Sequence, residues 1–326
     1  MNRQPTLEDV KNAHRRIKPF IHRTPVLTCC SLDEMVGAKL FFKGENFQKV
    51  GAFKFRGACN AILSLSQSAA AQGVITHSSG NHAAALALAA RMRGVTARIV
   101  MPSNAPLVKV AAVKNYGGII SFCEPTQASR ESTAAEIIEQ TGATFVHPYN
   151  DRTIIAGQGS SALELMEDVP DLDFILTPVG GGGLLSGTAI VAKALNKQIK
   201  VVAGEPRNAD DAFRSLQAGK ILPSLNPNTI ADGLKTSLGD LTFPIIQQLV
   251  DEIVLVKEEE IRSAMQTVFE RMKIIIEPSS AVPVAVLLFQ KLKVTNKKVG
   301  IILSGGNVEF NPFFERMLNQ DGHGAA

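Results

Sequence analysis

At 326 residues the chain has room for two domains and a substantial core, and its composition, 45% hydrophobic and 20% charged, is that of a water-soluble globular protein. A formal net charge of +4, evenly spread, is too mild to argue for nucleic acid or an anionic membrane surface, although a small anionic ligand would suit it. The cysteines Cys29, Cys30, Cys59 and Cys123 show neither CxxC spacing nor a disulfide framework and read as reduced thiols. The start, Met1-Asn2-Arg3-Gln4-Pro5, has no apolar signal core. The longest apolar run, 281–289, contains Pro283 and is too short to span a bilayer. A soluble, cytoplasmic protein is expected.

Thr6 reads as the N-cap of a helix whose buried face is marked by Val10, Ala13 and Ile17. A strand is expected over 39–43, then a turn at Lys54 that opens a helix marked by Ala58, Ala61, Ile62 and Leu65. Short β-rich runs and Ala-rich helical runs then alternate. Strands at 74–76, 97–101, 118–122 and 144–146 are separated by helices near 81–93, 106–116 and 127–141. That is the βαβαβαβ pattern of a small parallel sheet. After it come a helix near 155–166, a strand at 174–179, a helix from 184, strands at 200–203 and 252–256, a charged helix at 257–272 and a last strand at 299–303. The end, 319–326, reads as disordered. The expected fold is α/β in two domains with parallel sheets flanked by helices: residues 1–72 and 150–326 form a large domain, and 73–149 a small inserted one, with a cleft between them.

Five stretches carry chemistry. Lys54 stands in Gly51-Ala52-Phe53-Lys54-Phe55-Arg56-Gly57, flanked by aromatics and bracketed by glycines, just ahead of a helix N-terminus. The helix dipole, partial burial and nearby Arg56 are each expected to disfavour its ammonium form, leaving a nucleophilic amine of the kind that condenses with a carbonyl. Gly180-Gly181-Gly182-Gly183 follows an apolar strand and opens a helix, where free N–H groups and the dipole make an anion site. The register fails the dinucleotide fingerprint, since Leu185 and Ser186 stand where its third glycine belongs, and no Gly-Lys-Ser/Thr follows. A phosphate cradle without nucleotide signatures points to a phosphorylated cofactor.

Ser78-Ser79-Gly80-Asn81-His82 offers hydroxyls, an amide and N–H groups that could hold a carboxylate, or it is an N-cap with spare serines. Ser304-Gly305-Gly306-Asn307 follows the last strand and is weak by itself. In 205–211, Glu205, Asp211 and a loop carbonyl could ligate Mg²⁺, Ca²⁺ or Mn²⁺, although such a run is more often a solvated acidic loop and helix start.

Together these runs resemble fold-type-II pyridoxal-phosphate enzymes, and within them the serine racemases and their serine/threonine dehydratase relatives. The resemblance extends from Ile17-Lys18-Pro19 to Ser304-Gly305-Gly306-Asn307, through 51–57, 76–82, 155–159, 180–183, 205–211 and 229–233. It implies that Lys54 condenses with the aldehyde of pyridoxal 5′-phosphate and that Phe53 packs on the cofactor ring. It further implies that Asn81 meets the ring hydroxyl, that Gly180, Gly181, Gly182 and Gly183 bind the phosphate, and that Ser304 faces the pyridine nitrogen. A serine there supplies no negative charge to keep that nitrogen protonated, which favours loss of a β-leaving group over a long-lived carbanion.

By the same resemblance Lys54 removes the Cα proton of an amino-acid substrate and Ser79 returns one on the opposite face. Ser78, Ser79, Asn81 and His82 bind the substrate carboxylate, Arg130 gates or binds it, and Glu205, the Ala209 carbonyl and Asp211 hold the divalent cation. A homodimer is implied. Ala83-Ala84 stands where animal serine racemases carry Gly-Gln, so ATP activation is not expected, and no regulatory domain is expected after Asn307. The expected activity is interconversion of L- and D-serine with elimination of serine to pyruvate and ammonia. The alternatives are a dehydratase of L-serine, L-threonine or threo-3-hydroxyaspartate, and a non-catalytic binder of phosphorylated metabolites.

Overall fold

A computed structural model describes residues 3–78, 80–105 and 107–309. Ser79, Pro106 at the expected start of one helix, and the 319–326 tail lie outside the described residues.

The chain opens on α1 (Leu7–Ile17), where Thr6 accepts the Asp9 N–H and Asp9 answers to the Thr6 backbone in a capping box. Strand β1 (Val26–Leu27), helix α2 (Cys30–Val36) and strand β2 (Lys39–Gly44) follow, then α3 (Lys54–Ser64) and α4 (Gln67–Gln72). Next come β3 (Val74–His77), α5 (Asn81–Arg93), β4 (Ala97–Pro102), α6 (Leu107–Asn115), β5 (Ile119–Cys123), α7 (Gln127–Thr141) and β6 (Thr144–Phe145). The return begins with α8 (Arg152–Asp168), β7 (Phe174–Pro178), α9 (Gly183–Leu195), β8 (Lys200–Pro206) and α10 (Asp211–Ala218). It ends with α11 (Thr242–Leu249), β9 (Glu252–Val256), α12 (Glu258–Met272), α13 (Pro278–Leu288) and β10 (Lys298–Leu303).

Two sheets result. One has the order β1-β2-β10-β7-β8-β9 and is parallel except for β1; the other, β5-β4-β3-β6, is wholly parallel. Every parallel connection carries a helix back across a sheet face, as right-handed crossovers require. The core of the smaller sheet draws in Phe55, Ala58, Cys59 and Ile62 of α3 and Ile154 of α8, so α3 is packed from both directions. Helices α3 and α8 approach so closely that a Cβ on Gly157 would stand 2.6 Å from Gly57 Cα.

The elements read from periodicity are present with ends moved by a few residues. Helices α2, α4, α10, α11 and α13 add to the expected set: they are short, or apolar all round like α13, so an 11-residue window shows no single hydrophobic stripe. Among the described residues no helix is long and apolar enough to cross a membrane.

Candidate functional site

Ligand-bearing loops of parallel α/β sheets gather at the carboxyl ends of the strands. Here the ends of β3, β7 and β10 and the start of α3 open onto one cleft of about 1090 Å³. Phe53, Lys54, Ser78, Asn81, His82, Arg130, Gly180, Gly181, Gly182, Gly183 and Ser304 all border it, so residues up to 251 positions apart share one space. Glu205, Ala209 and Asp211 do not; they lie at the end of β8 and the start of α10.

Lys54 is the first residue of α3 rather than the residue before it. The turn ahead of it is fastened to the end of β10: Ala52 bridges Gly305, the Phe53 N–H donates to the Ser304 carbonyl at 2.9 Å, and the Gly306 N–H donates to the Gly51 carbonyl at 2.9 Å. The Lys54 amine donates to the Pro148 carbonyl at 2.8 Å and lies 5.2 Å from the Phe53 ring centroid. Burial lowers its pKa from 10.5 to about 8, against the opposing pull of Glu277.

Arg56 takes no part in that lowering, contrary to the expectation from sequence. Its guanidinium points the other way, donating to Glu45 at 2.7 and 2.8 Å and to Glu164 at 2.9 and 2.8 Å. Lys43 also donates to Glu164, at 2.7 Å. Two buried cations thus face two buried carboxylates, and little net field is left for Lys54 to feel.

At the glycine loop Gly182 has φ +88° and caps α9 with no side chain. Among the described residues the N–H groups of Gly180, Gly181, Gly182 and Gly183 donate to no protein acceptor. A Cβ on Gly181 would stand 2.4 Å from the ring carbons of Tyr149, so the ring lies flat on the loop's backbone. Orphan donors at a helix N-terminus, with no side chain between them and the cleft, fit a phosphate group.

Asn81 begins α5, donates to Glu277 at 2.9 Å and accepts from Asn307 at 2.9 Å. Glu277 is buried, and that burial raises its pKa from 4.5 to about 7. Sequence reasoning passed over it; the available signal was a lone acid in Ile276-Glu277-Pro278, between an apolar residue and a Pro-led helix start. Ser304 is buried with its hydroxyl 3.1 Å from that of Ser280. His82 is turned onto the Val146 carbonyl at 3.3 Å, and burial pushes it down to about 3, so it is neutral and its Nδ1 has no partner among the described residues. Arg130 Nε is likewise buried on the cleft wall without a partner among them.

The acidic run is not a solvated loop. Glu205 and Asp211 are buried; Glu205 accepts the N–H groups of Ala212 and Phe213 at 2.8 Å each, and both Asp211 oxygens lack a hydrogen-bond partner among the described residues. Burial raises Glu205 to about 9 and Asp211 to about 6. Two buried carboxylates with no ion-pair partner among the described residues have the chemistry that suits a hard divalent cation. Among the described residues no three His, Cys, Asp or Glu side chains converge, so such an ion would complete its shell with carbonyl and water oxygens.

The profile of the pyridoxal-phosphate dependent enzymes matches residues 17–305. A serine racemase of Dictyostelium discoideum is 54% identical over 318 residues, covering 96% of this chain and 98% of its own. A β-hydroxyaspartate dehydratase of Paracoccus denitrificans is 49% identical over 307 residues, covering 94% and 98%. The structure of maize serine racemase superposes with a TM-score of 0.93 at 47% identity, covering 97% of this chain and 98% of that one. A cleft with a half-buried lysine of lowered pKa, shared with a row of orphan N–H donors, is what binding and using that cofactor requires, and the chain belongs to the pyridoxal-phosphate dependent enzymes of fold type II.

Proposed function

We propose that the protein is a serine racemase that also dehydrates serine. The observation that carries this reading is the Lys54 amine, held near neutrality in a cleft it shares with the glycine loop and the start of α5, in a chain 54% identical to a serine racemase. The cofactor, when bound, draws electrons from the substrate and makes its Cα proton acidic. The rest falls to side chains. The N–H groups of Gly180, Gly181, Gly182 and Gly183 would hold the phosphate, Phe53 would pack on the ring, and Asn81 would take the ring hydroxyl. Ser304 gives a hydrogen bond to the ring nitrogen without contributing charge.

Lys54 would hold the aldehyde, and its free amine is the base that takes the Cα proton from one face. The return of a proton to the opposite face, which would invert the centre, is assigned to Ser79. Ser78, Ser79, Asn81 and His82 receive the substrate carboxylate, His82 through its environment more than its charge, and Arg130 supplies a cation at the cleft wall. If the β-hydroxyl leaves before a proton returns, hydrolysis yields pyruvate and ammonia.

Glu205, Asp211 and the Ala209 carbonyl hold Mg²⁺, Ca²⁺ or Mn²⁺ in a structural role. Residues 73–149 form a small inserted domain, and the protein works as a cytoplasmic homodimer. The runner-up, a dehydratase with little racemase activity, is favoured by the 49% identity to a β-hydroxyaspartate dehydratase.

Chiral chromatography of the products from L-serine, D-serine, L-threonine and L-threo-3-hydroxyaspartate tests these readings. D-serine together with pyruvate from L-serine is expected. Keto acid without D-serine supports the dehydratase, and no turnover of any of the four overturns both.

A further inference from the structure

The stretch joining β6 to α8 passes beside Lys54 and is fastened at more points than a connection needs. His147 Nδ1 accepts the backbone N–H groups of Tyr149 at 3.3 Å and Asn150 at 2.9 Å. Serving as an acceptor there places the ring proton on Nε2 and fixes one neutral tautomer. The imidazole meets the Tyr149 ring edge-on, centroids 4.6 Å apart, while Tyr149 lies on Gly181. Burial, followed by the nearby His77 and Lys54, pushes His147 down to about 4, so it stays neutral through the physiological range. Asn150 secures the far end: its Oδ1 accepts the Leu241 N–H at 2.9 Å and its Nδ2 donates to Asp240 at 2.6 Å. Between these two anchors is Pro148, whose carbonyl accepts from the Lys54 amine at 2.8 Å.

An amine whose N–H is held by a fixed carbonyl cannot spin freely about its Cε–Nζ bond, and its lone pair keeps one direction. We infer that the Pro148 carbonyl is the seat of the Lys54 amine whenever that amine is free, and that His147, by gathering the two N–H groups beyond Pro148, is the positioning residue that sets the carbonyl there. This rests on the reading of Lys54 as the residue that condenses with the cofactor aldehyde. In that condensation the Nζ lone pair adds to the aldehyde carbon, a C=N bond forms, and the carbonyl oxygen leaves as water with two hydrogens lost by the amine. The hydrogen bond to Pro148 breaks in the same step. The seat therefore serves the lysine before it captures the aldehyde and again when a substrate amine has displaced it, when the lone pair has to face the cleft.

The test uses the full-length chain freed of cofactor with hydroxylamine and mixed with pyridoxal 5′-phosphate, following the visible imine absorbance by stopped flow. His147→Leu is expected to slow its appearance on the order of tenfold to a hundredfold, the usual cost of a misplaced reacting group. His147→Asn carries Oδ1 where Nδ1 stood and can gather the same two N–H groups, so it is expected to keep the rate within about threefold of the parent. An unchanged rate in His147→Leu, or equal slowing in both variants, overturns the inference. Should His147→Leu fail to fold by circular dichroism, His147→Ser, with its weaker acceptor, takes its place under the same criteria. Lys54→Ala is the control: an imine formed there at the parent's rate overturns the reading of Lys54 itself, and the inference with it.

Discussion

At the scale of single residues, two titratable groups on the cleft, half-buried Lys54 and buried Glu277, set its chemistry. Lys54 has a pKa of about 8 because burial costs the ammonium its hydration. Trapping of pyridoxal 5′-phosphate by borohydride in cofactor-free protein should therefore rise with pH and level off above about 8, falling by about tenfold for each unit below that. Lys54→Ala should leave no label at that position by peptide mass mapping. Glu277 holds its proton up to about 7 in the folded chain, whereas an unfolded glutamate ionises near 4.5. The folded state binds the extra proton across that window, so the stability Glu277 contributes is full below about 4.5 and is lost as pH rises through about 7. Glu277→Gln should remove this dependence. Relative to the parent, the variant gains on the order of 2 kcal/mol in urea unfolding at pH 8 over pH 5. A parallel pair of stability curves would contradict the assignment.

At the scale of elements, the approach of helix starts to strand ends depends on groups that have no slack. Arg56 ties α3 to α8 and to the turn after β2 through Glu45 and Glu164, all of them buried. Removing one partner leaves carboxylates uncompensated in the interior, so Arg56→Ala should lower unfolding stability by about 3–5 kcal/mol in a denaturant titration. The glycine loop is equally constrained. Gly181→Ala drives a methyl into the Tyr149 ring, and an overpacked contact of this kind costs about 1–3 kcal/mol. The expected readout is cofactor affinity reduced by roughly tenfold in a spectroscopic titration. Tyr149→Ala in the same chain should recover part of it, because the nearest atoms to the added methyl belong to that ring. Full affinity in Gly181→Ala alone would show that the loop has room to shift.

At the scale of the whole molecule, the two sheets meet over the cleft, and Lys109 of α6 pairs with Asp232 across it at 2.5 Å. That pair is partly exposed and contributes little stability, about 0.2–1 kcal/mol for pairs of its kind. The buried carboxylates Glu205 and Asp211 are a larger lever. A cation that binds only the folded chain stabilises it by about 2.7 kcal/mol at a hundred times its dissociation constant. Mg²⁺ should therefore raise the melting temperature of EDTA-treated protein by several degrees, and Asp211→Asn should cancel most of the rise. An unmoved melting curve would remove the metal from the account.

The alternation of short β-rich runs with Ala-rich helices was enough to specify a parallel α/β chain, because periods of two and of 3.6 are local properties of a sequence. The four glycines announced an anion cradle for a similar reason: a βα turn needs one or two, and the surplus leaves N–H groups bare. For Lys54, the burial that lowers its pKa was legible from its immediate neighbours, although the part expected of Arg56 was not borne out. Arg56, two residues on, was expected to matter and instead faces Glu45 and Glu164, the latter 108 positions away. Glu277, Pro148, His147, Tyr149 and Asn307 carried no signal strong enough to single them out. Their parts in the cleft come from contacts such as Asn81 with Glu277, 196 positions apart, and Lys54 with Pro148, 94 apart. The sequence by itself determined the principal strands and the longer helices, and which glycine run could offer bare N–H groups to an anion. Only the tertiary structure decided which charges meet and which are buried alone, because desolvation and pairing depend on what packs alongside, and neither is written into a residue's neighbours along the chain.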